Sequence, residues 1–182
     1  FYGLRTLKQI VQMDDSGVIP FCTVSDWPDD PFRGFTDGMS IGGRTHESMM
    51  SLVNLAGSMN MSEFVYAPKD DPYVSSPHWY LSYSQVRADM VEELMDACRS
   101  HHMEFTWCIR PDAEYSWTEE DYAFLFGKLE MMHYIGVRSF GVLLDDIPYE
   151  EGIEEKKAEL IARLNKDFVS PKKGVKPLLT SL

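Results

Sequence analysis

The stretch SFGVLLDD, residues 139–146, is an almost unbroken apolar run that ends on two carboxylates. A run this short is strand-length, and the lack of apolar–polar alternation means that both of its faces are covered. Strands of that kind belong to parallel sheets flanked by helices, so this segment decides the class of fold.

Working outward, the pattern repeats. EFTWCIRP (104–111), SEFVYAP (62–68) and PFRGFTDG (31–38) read as earlier strands, and KPLLTSL begins a fifth. Helical periodicity fills the intervals 44–59, 84–101, 119–135 and 153–168. In 84–101, Val86, Met90, Leu94 and Cys98 share a face. Thr118 caps 119–135 with Asp121 at the capping-box position; Tyr122, Leu125, Phe126, Leu129 and Met132 form the stripe, and Gly136 ends the helix. The last helix buries Ile161, Leu164 and Phe168. This β/α alternation predicts an α/β fold with parallel strands starting near 32, 62, 104, 139 and 177. Either a doubly wound sheet or a (β/α)8 barrel satisfies it, and both place ligands at the carboxyl ends of the strands. Those ends read TDG, APKDD, IRPD and LLDD, which predicts one charged rim.

Before the first strand, Leu4, Leu7 and Val11 recur at helical spacing, and the proline-rich DWPDDP (26–31) makes a natural boundary. The expected organisation is 1–30 as the end of a preceding domain with its linker, and 31–182 as the strand–helix domain.

Composition narrows the partners. Seventeen basic residues against 29 acidic ones give a net charge of −12, which speaks against nucleic acid and anionic membrane surfaces. Cys22, Cys98 and Cys108 have neither disulfide-framework nor zinc-knuckle spacing, and read as core thiols. Met49, Met50, Met59 and Met61 read as flexible core fillers, and His101, His102 and Glu104 as a solvated helix end. Trp79, Trp107 and Trp117 lie on or near the rim strands, where an aromatic face can pack on a sugar; Trp107 reads as core.

Three motifs carry chemistry. Asp145 and Asp146 close a strand, and two adjacent carboxylates turned into one pocket push one of the pair to hold a proton, supplying an acid and a base. The plainer alternative is a loop-opening Asp146 beside a solvated turn residue, Asp145. In FVYAPKDDPY (64–73), Pro68 and Pro72 fix two φ angles and hold Lys69 at a set position on the rim. GMSIGGRT (38–45) has phosphate-loop spacing with Arg44 in place of the lysine, which raises a nucleotide hydrolase as an alternative. Arg44 is a poor substitute for a compact ammonium, and PFRGF is a poor buried strand.

Together YGLRTLKQI (2–10), FRGFTDG (32–38), MNMSEFVYAPKDDPYVSSPHWYLSYS (59–84) and IGVRSFGVLLDDI (135–147) resemble glycoside hydrolase family 84, the O-GlcNAcase and bacterial hyaluronidase-like β-N-acetylglucosaminidases. The resemblance implies a partial (β/α)8 barrel, about the first four to five units, after the tail of an α/β domain. It also implies retaining, substrate-assisted cleavage of terminal β-linked N-acetylglucosamine from a glycan or glycoprotein, with no metal and no organic cofactor. Asp145 would orient the acetamido group, Asp146 would be the acid and base, and Lys69 and Gly38 would contact the sugar. Asp70 and Asp71 would brace the loop. Asp37 and Ser40 depart from the family's glutamate and tyrosine, which points to altered specificity; a catalytically silent sugar-binding relative is a further alternative. The isolated 182 residues are expected to be inactive.

Overall fold

A computed structural model describes residues 2–12, 18–19, 21–38, 44–75, 78–111 and 115–181. The chain divides into two compact units, Phe1–Pro31 and Phe32–Leu182. In the first, helix α1 (Tyr2–Gln12) buries none of its side chains.

The second unit alternates throughout: β1 (Gly34–Asp37), α2 (His46–Ser58), β2 (Glu63–Tyr66), α3 (Gln85–Ser100), β3 (Glu104–Ile109), α4 (Glu119–Ile135), β4 (Ser139–Leu143), α5 (Ile153–Leu164) and β5 (Leu179–Ser181). All four strand pairings are parallel. Their order, β1-β2-β3-β4-β5, never reverses. A doubly wound sheet reverses direction at its switch point, whereas a (β/α)8 barrel adds each strand beside the last. The topology therefore selects the partial barrel.

Local chemistry explains the element ends. Thr45 and Ser84 accept from Ser48 N and Arg87 N at the starts of α2 and α3. Thr118 and Asp121 form the full capping box of α4, and Gly136, at φ 123°, ends it in a conformation that side chains rarely adopt. Gly34 is required by close approach, since a Cβ there would lie 2.3 Å from Glu63 O on β2.

The two faces of the sheet differ. Phe64, Tyr66, Phe105, Trp107, Phe140 and Val142 pack under the helices in the main core. Ala67, Cys108 and Leu143, with Val65 against them, form a smaller cluster on the alternate positions of β2, β3 and β4. These small side chains floor the concave side.

Several expectations need correction. On α3 the buried residues are Val91, Leu94, Met95 and Cys98, while Val86 is exposed. Residues four apart rotate about 40° per step around a helix, so a stripe that starts at Cys98 has left the core by Val86. On α5 Leu160, not Ile161, is buried, and the helix ends at Leu164 in a π turn (Asn165–Val169) that brings Phe168 to 5.0 Å from Phe140, ring to ring. Cys98 and Cys108 are core thiols, but Cys22 is exposed. Met59 is likewise exposed, whereas Met49, Met50 and Met61 pack against the core.

Candidate active site

The floor cluster locates the site. Side chains alternate along each strand, so two residues beyond Ala67, Cys108 and Leu143 come Lys69, Arg110 and Asp145, all at the carboxyl ends of their strands. Asp146 follows in the turn. Lys69 Nζ donates to Asp146 Oδ2 at 2.7 Å. Arg110 Nε lies 3.3 Å from the same oxygen and 3.9 Å from Asp145 Oδ1. Ser181 Oγ, on β5, donates to Asp145 Oδ1 at 2.7 Å. Four strand ends thus contribute to one constellation.

Lys69, Asp145 and Asp146 are each more than two-fifths exposed, whereas the Arg110 side chain is 6% exposed. The acids and the lysine face solvent over a buried guanidinium. Sequence reasoning missed both Arg110 and Ser181. Arg110 was signalled by its place in the IRPD strand end and by its even spacing from Thr106 and Cys108, but was not singled out as a site residue.

Two adjacent carboxylates raise one another, and here two cations accompany them. Burial works to raise Asp145, yet the Ser181 hydroxyl, its backbone hydrogen bond, Arg110 and Lys69 together hold it below the usual carboxylate range.

The loop around Lys69 is anchored by Asp71. Its carboxylate accepts from Tyr66 Oη at 2.9 Å, Tyr83 Oη at 3.0 Å and Tyr73 N at 2.9 Å. Asp71 is buried and Asp70 exposed, so the bracing falls to the former.

Gly38 lies on the same rim, buried one residue past β1, where a Cβ would come 3.2 Å from Thr36 Cγ2. Beside it Asp37 is buried; Arg44 Nε donates to its Oδ1 at 3.2 Å, while Oδ2 has no hydrogen-bond partner among the described residues. Burial raises the Asp37 carboxyl, Arg44 opposes this and Asp70 adds to it. Ser40, and with it residues 39–43 of the phosphate-loop motif, lies outside the described residues. Arg44 is committed to Asp37, and the carboxylates of LLDD face two cations, which suits neither a nucleotide phosphate nor its magnesium. Trp79 and Trp107 are 2% and 0% exposed, so neither offers a face to a sugar; Trp117 is half-buried. His101 Nε2 meets Asn54 Oδ1 at 3.0 Å and so joins α3 to α2.

A family model described as beta-N-acetylglucosaminidase matches residues 33–181. The protein O-GlcNAcases of Rattus norvegicus and Mus musculus are each 31% identical over 98 residues, 53% of this chain and 11% of theirs. The chain therefore spans a small fraction of the curated relatives it matches. Among solved structures, CpGH84B superposes with a TM-score of 0.76 at 31% identity, covering 82% of this chain and 27% of that one. A mutant Thermobaculum terrenum O-GlcNAc hydrolase superposes at 0.74 and 22% identity, covering 82% and 34%, a likeness of fold.

Proposed function

Because the chain belongs to the beta-N-acetylglucosaminidase family across residues 33–181, we propose that it forms part of a retaining hydrolase of terminal β-linked N-acetylglucosamine on glycans or glycoproteins. The observation that carries this reading is the adjacent pair Asp145 and Asp146 on a solvent-facing rim, with Lys69 at 2.7 Å from Asp146.

In this reading the acetamido oxygen of the substrate attacks C1 and the glycosidic bond breaks. Asp145, kept ionised, accepts the acetamido N–H and aims its carbonyl. Asp146 gives its proton to the departing oxygen, then takes one from the water that opens the cyclic intermediate and returns the electron pair to the acetamido group. Lys69 leaves Asp146 to donate to a sugar hydroxyl, so binding withdraws one cation from the acid. Gly38 allows the sugar close to the backbone. The buried Asp37 beside it, paired with an exposed Arg44, supports an altered substrate range.

The test is a series of aryl N-acetylglucosaminides with the complete protein that carries this segment. Asp146→Asn should slow substrates with acidic leaving groups least, because those need no proton, whereas Asp145→Asn should slow all alike. Equal losses across the series in both variants would reject these roles.

A further inference from the structure

The Arg110 guanidinium has no role in the chemistry just described. It is 5% exposed, and among the described residues its Nε and Nη1 atoms are buried without a hydrogen-bond partner. A buried cation is tolerated only with compensating charge. Among the described residues that charge comes from Asp146, at 3.3 Å, and Asp145, at 3.9 Å. Lys69, the other cation here, is 44% exposed and is the group a sugar hydroxyl would draw away. When it leaves, Arg110 is the cation that remains against the acids.

We propose that Arg110 is a positioning residue, a fixed counter-cation that acts through Asp145 and Asp146 by keeping Asp145 a carboxylate and holding both acids at the rim. This rests on the roles assigned to the two acids above. It follows from geometry: Arg110 comes directly after β3, which pairs with β2 and β4, the strands that lead to Lys69 and Asp145, and its side chain is 6% exposed. The charged groups facing Asp145 are Arg110 from β3, Lys69 from the loop after β2 and its neighbour Asp146; Ser181 on β5 adds a neutral donor. Arg110 is the buried member of that set, so its effect is the least screened by water.

Two variants separate this from a packing role. Arg110→Met keeps the volume and removes the charge; Arg110→Lys keeps the charge and loses the fork. Without the charge Asp145 ionises less readily, so in R110M of the complete protein the acidic limb of the kcat/KM profile on an aryl N-acetylglucosaminide should move to higher pH. In R110K it should stay near the wild-type position. A limb that does not move in R110M, or that moves equally in both, would overturn the proposal, since lost packing scales the whole profile without displacing it.

A second measurement needs no turnover. In D145N/D146N the guanidinium loses its compensation, and thermal unfolding should come earlier; adding R110M should restore part of that loss. R110M lowering the melting temperature as much in the double-Asn background as in the wild type would also defeat the idea. Absence of turnover in the complete wild-type protein would defeat the glycosidase reading and leave this coupling test standing.

Discussion

Asp71 shows how one side chain governs a site that it does not enter. Its carboxylate accepts from two phenols and a backbone amide while 4% exposed, and the Arg87 guanidinium lies 3.5 Å away. The hydrogen-bond donors come from β2 and from the segment before α3, and Arg87 from α3 itself, so they tie both ends of the Lys69 loop to the fold. Asp71→Ala leaves two buried hydroxyls without an acceptor and should cost about 2–4 kcal/mol by urea unfolding. The Lys69 loop should loosen as well and raise KM. A loss below about 1 kcal/mol would mean that the two tyrosines find other acceptors. The bracing role was expected of Asp70 and Asp71 alike with the family resemblance, but the tyrosine partners that single out Asp71 were not legible, because Tyr83 is twelve residues away.

At the scale of elements, α4 was read almost to the residue, because its capping box, its apolar stripe and its terminal glycine agree. It also holds a residue that no pattern announced. Lys128 is 3% exposed, donates to Leu81 O and lies over the Tyr83 ring at 4.5 Å from the centroid. Burial pushes its ammonium down to about 8, with the Asp71 charge opposing. Below that pH both folded and unfolded chains carry the proton, and the fold bears the burial cost in full. Between about 8 and 10.5 the folded lysine is neutral while the unfolded one still binds a proton, so this residue's penalty fades as pH rises. Lys128→Met should therefore compare best with the wild type at pH 7 and lose about 1–3 kcal/mol of that relative standing by pH 10. Comparing the two proteins cancels the tyrosines that titrate in the same range. Parallel stability curves across this window would show that Lys128 is not buried as a cation.

For the whole molecule, five parallel strands are present, and β1 and β5 each pair on one side only among the described residues. A (β/α)8 barrel closes that seam with three further strands and positions its ligand with loops from all eight. Unpaired edges invite association with other chains. We expect the isolated 182-residue chain to self-associate and to show no measurable hydrolysis of an aryl N-acetylglucosaminide. Light scattering and the assay check both; a monomer with the turnover of the complete protein would refute this. We also propose that residues 1–30 close a preceding α/β domain, a boundary that limited proteolysis near DWPDDP would expose.

The sequence by itself determined the alternation of elements, the polarity of the strand ends and the candidates Lys69, Asp145 and Asp146. Each is a local property: periodicity, capping and the composition of a turn depend on neighbours within one or two helical turns. Tertiary structure alone decided the strand order, the face of α3 that is buried, the burial of Trp79 and the convergence of Arg110 and Ser181 on the acids. When both faces of a strand are apolar, alternation separates two sets of side chains without saying which meets the helices and which meets the barrel interior. In β3 that choice puts Trp107 under the helices and Arg110 beside the carboxylates, and only the pairing of β3 with β2 and β4 makes it.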